Sequence, residues 1–271
     1  MQKAKAGPST TAPPGFMIHD KPLTGSLDFI LTPSEVINWI FTSKAMDRLK
    51  ANVSPPAVST KDQWISSGDA IAALLWGATT RARAKAQVAR INPDSSFDTL
   101  LSSADGRIRD PHNEMSKTKY FGNFNPSFLS TVSRSDLLAE DEEAITRVAL
   151  QIRTAINEQL SLEGVAAKLA FFDNPQNLEP TGRITLVGDF FLTNWCRHDL
   201  KGPKLDFGWG EAFLACRESG ASICPPGYAL LTQDKATGEI HVLLAVEKAA
   251  GDNLKNDPLM NKYADLVITK T

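Results

Sequence analysis

The chain of 271 residues is 42% hydrophobic and 22% charged, an ordinary balance for a globular protein with a packed core. Its 29 Lys and Arg residues nearly balance its 31 Asp and Glu residues, and the absence of a long basic run argues against a nucleic-acid surface. No stretch is apolar for the length of a bilayer, and residues 1–16 lack the apolar centre of a signal peptide. These features predict a cytoplasmic protein with a small ligand and with no membrane or nucleic-acid partner.

The first 22 residues are rich in residues that disfavour regular structure. Gly, Ser and Thr accompany four prolines, which are Pro8, Pro13, Pro14 and Pro22. Such a composition buries too little apolar surface to order itself. Residues 1–22 are therefore predicted to be a flexible linker, and residues 23–271 a single folded domain.

A strand and a helix are predicted next. Leu27, Phe29 and Leu31 stand at the two-residue spacing of a strand. The tetrapeptide TPSE at 32–35 then has the pattern of a helix N-terminus, with a capping hydroxyl, a proline in the first turn and an acid three residues after the cap. The buried stripe of this predicted helix comprises Val36, Ile37, Ile40 and Phe41.

Two further helical blocks are predicted before residue 160. SSGD at 66–69 is a capping box, and the helix that follows it has Ile71, Leu74, Leu75 and Ala78 on one face. The second block follows SRSD at 133–136, and its apolar residues at three- and four-residue steps are Leu138, Ile145, Val148, Ile152, Ala155 and Ile156. The intervening residues 97–125 predict a strand, a turn at Asp105–Gly106 and an irregular segment.

After Thr181 the pattern changes to strands, and a last helix is predicted over 258–267. The β-forming segments are 183–195, 211–219, 227–233 and 239–247, and the last two flank the turn DKATG as a hairpin. Helices mostly first and strands mostly later indicate an α/β fold, in the sense of α+β layers, with helices packed on a mixed sheet.

The cysteines and histidines of the chain suggest no metal site. Cys196, Cys216 and Cys224 form no C-x-x-C pair and no metal-ligand spacing with histidine, and they are predicted to be reduced, mostly buried thiols. His198 beside Asp199 is a candidate base, but neighbours on a strand point to opposite faces and cannot orient each other simply. A catalytic His198 is therefore the weaker alternative.

Several segments together resemble one family. DFGWG at 206–210, DGRIR at 105–109, YFGN at 120–123 and TNWCR at 193–197 stand in the order found in the BAHD acyltransferases, which transfer an acyl group from coenzyme A to an alcohol or amine. The helix at 67–83 and the segment 225–247 are also similar to that family, in particular to its fungal branch near the trichothecene 3-O-acetyltransferases. The resemblance covers residues from about Leu27 to Val267 and implies a chloramphenicol-acetyltransferase-like domain.

The resemblance is to the second of the two domains of that family. The active-site signature HxxxD belongs to the first domain, and none of the four histidines of this sequence begins an HxxxD. The N-terminal half with the base would then be supplied by another polypeptide or by a partner copy, or be missing from this sequence, and the chain alone would be inactive. The apolar face that normally meets the first domain would favour self-association. Acyl-CoA is implied as a co-substrate, with no covalently bound cofactor and no metal.

The resemblance also implies roles for individual residues. Thr193 and Trp195 would face the reaction from a strand end, where the indole N–H could donate to the developing oxyanion; the alternative is that Trp195 is a core aromatic. Asp206 would pair with Arg107 or Arg109 and act as a structural clasp, or it could be an acid on a surface turn. The clasp motif consists of Asp206, Phe207, Gly208, Trp209 and Gly210.

Two functions are therefore expected for this sequence. The first is acyl-CoA-dependent transfer of an acyl group to a hydroxyl or amine of a small metabolite, typical of secondary metabolism, by a chain that lacks the catalytic histidine. The second is a non-catalytic module derived from the family, which binds acyl-CoA or a metabolite, or works by association.

Overall fold

The structure, a computed structural model, describes residues 9–19, 32–55, 64–90, 92–109, 124–178, 184–198, 208, 210 and 224–267. Within these residues the strands are β1 Phe16–Ile18, β2 Ser34–Phe41, β3 Phe97–Ser103, β4 Ser127–Ser133, β5 Ile184–Leu186, β6 Phe190–Asn194, β7 Tyr228–Gln233, β8 Ile240–Glu247 and β9 Asp265–Leu266. The helices are α1 Ser43–Val53, α2 Ser67–Lys85, α3 Arg134–Leu138, α4 Glu142–Gln159, α5 Leu162–Phe172, α6 Pro175–Leu178, α7 Gly251–Lys255 and α8 Pro258–Tyr263. Two short 3₁₀ turns lie at Gly106–Arg109 and Lys248–Ala250.

Seven of the described strands form one mixed sheet in the order β4-β3-β6-β7-β8-β2-β9. The pairs β3–β6 and β6–β7 are parallel, and the other pairs are antiparallel. The prediction of helices on a mixed sheet is therefore confirmed. The predicted hairpin is also present, because β7 and β8 pair directly through the turn at 234–239.

Helix α2 is the centre of the helical layer on this sheet. Its predicted capping box is confirmed: Ser66 accepts from the backbone N–H of Asp69, and Asp69 accepts from the N–H of Ser66. The helix is buried on every side from Asp69 to Ala82, because α4 and shorter helices surround it. Truncating a buried leucine in such a helix typically costs about 2–5 kcal/mol.

Residues 34–41 form a strand, so the prediction of a helix over this segment is wrong. The segment pairs with β8 over its full length, from Ser34 opposite Glu247 to Phe41 opposite Ile240. Its burial alternates with a period of two, since Ile37, Trp39 and Phe41 face the core. The β-branched and aromatic residues of this segment favour a paired strand over the local capping signal at 32–35. Helix α1 begins only after Thr42, whose hydroxyl caps it.

Other elements differ from the prediction in number or length. The second helical block is confirmed but divides into α3 and α4, and Leu138 of that block is 38% exposed. Strand β4 and helix α5 were not predicted. The last helix ends at Tyr263 rather than at 267, because Asp265 and Leu266 pair with β2 as β9. The strands predicted at 27–31 and 211–219 lie outside the described residues.

Part of the predicted linker is a strand. Residues 16–18 pair with β5 in a separate two-stranded sheet, and the Phe16 ring packs edge-on against Phe172 of α5. The side chains of Asn174 and Asn177 donate to the carbonyl of Ser9. The boundary between a linker at 1–22 and a domain at 23–271 stays a prediction.

Candidate functional site

Two of the motif segments that the sequence singled out lie at the same end of the seven-stranded sheet, the carboxyl edge where its parallel strands end. Strands β3, β6 and β7 run parallel and end at this edge, and β2 ends there too because both β2 and β7 are antiparallel to β8. DGRIR at 105–109 follows β3, and TNWCR at 193–197 spans the end of β6. Because β3 and β6 are direct neighbours, the topology brings these two motifs together.

Thr193 and Trp195 are both accessible at the end of β6. Leu192 lies in the core against the helices, so the alternation of the strand places Thr193 on the opposite face, where it is half-buried. The backbone N–H of Trp195 still donates to the carbonyl of Leu231 at 2.8 Å. Trp195 is nevertheless 40% exposed, so it is not among the buried core residues of the described chain.

The turn after β6 is held by its own side chains and by the neighbouring hairpin. Asn194 Oδ1 accepts from the N–H of Cys196 at 2.9 Å. Lys235 of the hairpin donates to the carbonyl of Cys196 and, at 2.7 Å, to Oε1 of Gln233. The turn that carries Trp195 is thus tied to the end of β7.

The Cys196 thiol is not suited to nucleophilic chemistry. Burial raises its pKa to about 11, and the nearby Lys235 ammonium only partly opposes that shift. The thiolate is the reactive form of cysteine, so this side chain stays protonated and inert near neutral pH. Cys196 is a free thiol and partly buried, Cys224 is also partly buried, and Cys216 lies outside the described residues.

The guanidinium of Arg107 forms an ion pair with Asp105, an acid of the same loop. Its Nε lies 2.8 Å from Asp105 Oδ1, and a terminal nitrogen lies 3.2 Å from Oδ2. The hydrogen bond from Arg107 lowers the pKa of Asp105, and Arg197 of the β6 turn adds a smaller lowering effect. Asp105 is therefore a weak base, and the charge of Arg197 reaches it from the adjacent motif.

The predicted clasp falls mostly outside the described residues. Asp206, Phe207, Trp209 and the side chain of Arg109 are not described, nor is YFGN at 120–123. Gly208 and Gly210 each have a φ of 94°, a conformation that side chains other than glycine rarely adopt. The pairing of Asp206 with Arg107 or Arg109 stays a prediction.

The N-terminus of α2 lies against the same edge and contains an ion pair that the sequence analysis missed. A Cβ on Gly68 would lie 3.5 Å from Asn194 Nδ2, so this helix begins beside the β6 turn. Arg153 of α4 donates to Asp69 Oδ2 from Nε at 2.9 Å and to Ser66 Oγ, also at 2.9 Å. Trp64 lies over the guanidinium with its ring centroid 4.2 Å away.

A signal for this ion pair exists in the sequence. Arg153 follows Ile152 directly in the apolar stripe of α4, and a charged residue at such a position needs a buried partner. The capping acid Asp69 is that partner.

His198 is exposed in the turn after Trp195 rather than on a strand, and Asp199 is not described. In the described part of the chain, no group of three or more His, Cys, Asp or Glu residues is arranged to hold a metal ion. Among the same residues, no helix combines the length and apolar character needed to cross a bilayer.

Comparison with known proteins gives matches over most of the chain. Residues 34–257 match the model of the transferase family. Acyltransferase uat1 of Mycosarcoma maydis is 30% identical over 132 residues, which is 42% of this chain and 24% of that protein. Eremophilane O-acetyltransferase prx11 of Penicillium rubens is 24% identical over 233 residues, which is 83% of this chain and 45% of that protein.

The crystal structure of F. sporotrichioides TRI101 with coenzyme A and T-2 is similar in fold. It superposes with a TM-score of 0.66 at 17% identity, over 92% of this chain and 56% of TRI101. This likeness confirms the chloramphenicol-acetyltransferase-like fold. The chain spans about half the length, or less, of these three proteins.

Proposed function

The chain belongs to the transferase family of BAHD-type acyltransferases, because residues 34–257 match that family's model, and we propose that it supplies one side of an acyl-CoA-dependent acyltransferase site. The acceptor is a hydroxyl or an amine of a small secondary metabolite. The exposed indole of Trp195, at the edge where two motif segments meet, is the observation that carries this function.

The proposed reaction needs a base, donors to the oxyanion and aligned substrates. A base removes the acceptor proton, the acceptor oxygen or nitrogen attacks the thioester carbonyl, and the tetrahedral intermediate expels the thiolate of coenzyme A, which takes up a proton. Trp195 donates its indole N–H to the oxyanion, and Thr193 lines the same side. The base is the histidine of an HxxxD segment, which is not among these 271 residues and is supplied by a longer chain or by a partner.

The test is thiol release from acetyl-CoA with a panel of alcohols and amines, for the chain together with an HxxxD-bearing half. We expect Trp195→Phe to lower kcat by about 10²–10³-fold, because one oxyanion donor is lost. Trp64→Phe is the matched control, since Trp64 is also an exposed tryptophan but stacks on Arg153. Equal activity of the two variants would refute the role of Trp195.

The chemistry of Asp105 and Cys196, which lie near the ends of β3 and β6, favours a second function, that of a non-catalytic binding module. Asp105 is a weak base and Cys196 stays protonated, so neither group can replace the HxxxD histidine. A non-catalytic module that binds acyl-CoA or a metabolite fits these properties. Saturable binding of acetyl-CoA by calorimetry, with no thiol release under any pairing with an HxxxD-bearing half, would favour the module over the enzyme.

A further inference from the structure

Strand β4 is an end strand of the seven-stranded sheet, and its sequence leaves it poorly protected. Among the described strands it pairs only with β3. Its residues, SFLSTVS, include no charged side chain and no proline. Edge strands usually carry charged residues or proline, because their unpaired backbone groups otherwise pair with a strand of another molecule.

The backbone groups of alternate β4 residues point away from β3. Pairs at even-numbered positions make the ladder bonds, as Pro126 with Ala104 and Arg134 with Ser96 illustrate at the two ends of the strand. In an antiparallel pair the residues between them direct their N–H and C=O groups outward. These outward residues are Ser127, Leu129, Thr131 and Ser133.

The side chain of Gln159 occupies the outward groups of Leu129. Its Oε1 accepts from the Leu129 N–H at 2.9 Å, and its Nε2 donates to the Leu129 carbonyl at 2.7 Å. An amide that both accepts from and donates to one residue makes the same two bonds as the backbone of an added strand. The Gln159 side chain therefore satisfies the outward N–H and C=O of Leu129, as one residue of an added strand would.

Gln159 is held in place by helix α5. Lys168, which is only 6% exposed, donates from Nζ to the Gln159 carbonyl at 2.6 Å. Gly164 also packs on this carbonyl, because a Cβ there would lie 2.6 Å from the oxygen. The end of α4 is therefore fixed by two contacts, and the amide is presented to β4 in a defined position.

We propose that Gln159 closes the edge of the sheet and that the partner it excludes is a second copy of this chain, pairing through its own β4. The strip 127–133 is self-complementary: an antiparallel pair about a twofold axis at Ser130 sets Ser127 opposite Ser133 and Leu129 opposite Thr131. Such an isologous contact closes on itself as a dimer. The proposal is independent of the proposed function, since Gln159 contacts Leu129 within β4 and not the turn that carries Trp195.

The test is the oligomeric state of Gln159→Leu, measured by sedimentation velocity over a hundredfold range of concentration. We expect this variant to dimerise at least tenfold more tightly than the wild type. Gln151→Leu, the same change at an exposed position of α4, is the matched control and is expected to behave like the wild type. Amide hydrogen exchange at Leu129, measured at low concentration, should be faster in Gln159→Leu than in either of the others.

A second substitution distinguishes pairing through β4 from nonspecific hydrophobic association. Thr131→Pro removes an outward N–H without removing a ladder bond to β3, so adding it to Gln159→Leu is expected to restore the monomer. If Gln159→Leu fails to fold, Gln159→Glu is used, because it keeps the acceptor and loses the donor to the Leu129 carbonyl. The proposal is overturned if the folded Gln159 variant associates no more than Gln151→Leu, or if Thr131→Pro leaves the association unchanged.

Discussion

Adjacent side chains at the end of β6 have different exposures and different chemistry. Trp195 is 40% exposed, whereas the neighbouring Cys196 is sufficiently buried that its pKa rises to about 11. Asn194 and Lys235 hold the backbone of the turn that carries both residues. Two consecutive residues of this turn therefore differ in function: Trp195 offers an accessible hydrogen-bond donor, and Cys196 is an unreactive thiol.

The first prediction concerns the reactivity of Cys196. At pH 8 a thiol with a pKa of about 11 has roughly a hundredfold less thiolate than one with the ordinary value of 9.0, so alkylation by iodoacetamide should be slower by about that factor. The measurement is the rate of modification of the Cys196 peptide by mass spectrometry, in native protein and in urea. Equal rates in the two conditions would show that the native thiol is not protected.

Individual residues illustrate how far a motif predicts a site. The ordered motifs directed attention to Trp195, and its accessibility agrees with the proposed role. Asp206, in contrast, was predicted to pair with Arg107 or Arg109, and that pairing stays a prediction. The described bonds of the Arg107 guanidinium go to Asp105, two residues away. The motif alone did not indicate this local pair between Asp105 and Arg107.

At the scale of elements, one buried ion pair joins α4 to the first turn of α2. Arg153 and Asp69 are 10% and 3% exposed at their side chains, so removal of the arginine leaves a buried carboxylate without its main partner. Arg147 lies on the same helix but pairs with Asp136 while 51% exposed. The extent of burial, rather than the mere presence of an ion pair, decides how much each of these contacts contributes to the stability of the fold.

The second prediction compares these two arginines. Arg153→Met should lower the free energy of unfolding by about 3–5 kcal/mol, because one partner of a buried pair is lost. Arg147→Met should change it by about 0–1 kcal/mol, as is usual for exposed pairs. Urea unfolding followed by circular dichroism measures both variants, and similar losses in the two would contradict the distinction.

The third prediction concerns Lys168, which joins α5 to the end of α4. Burial lowers its pKa from 10.5 to about 8, so between these two values the unfolded state binds more protons than the folded state. The free energy of unfolding should therefore rise with pH across this range, by as much as about 3 kcal/mol in total. Below pH 8 the amine is charged in both states and the contribution no longer changes.

The measurement for Lys168 is urea unfolding at pH 7.5 and pH 9.5, compared with Lys168→Met. The comparison is needed because Cys196 acts in the opposite direction: its raised pKa makes the folded state retain a proton that the unfolded state loses above pH 9. Subtracting the variant isolates the lysine. A pH dependence that is the same in both proteins would show that Lys168 is not the group responsible.

For the whole molecule, distant parts of the chain are joined through the central helix. Arg81 of α2 makes a two-point contact with Asp257, which caps α8, and it also donates to the carbonyls of Leu137 and Ala139. Arg83 similarly joins α2 to Glu247 at the end of β8 and to the carbonyl of Asp189. The buried helix thus connects elements that are more than 150 residues apart in sequence.

Local features of the sequence were sufficient for several parts of this protein. The start of α2 was determined by Ser66 and Asp69, and the β7–β8 hairpin by two β-forming segments around a short turn, because these contacts join residues only a few positions apart. The order of the motifs was sufficient to recognise the family. Each of these signals is complete within a short stretch of the chain.

Only the tertiary structure decided the state of residues 34–41 and the partners of Arg153 and Gln159. A capping pattern at 32–35 favoured a helix, but eight residues of pairing with β8 outweigh a single cap. Arg153 meets Asp69 across 84 positions and Gln159 meets Leu129 across 30. Such contacts depend on how layers and neighbouring strands are placed, which no short segment of this sequence encodes.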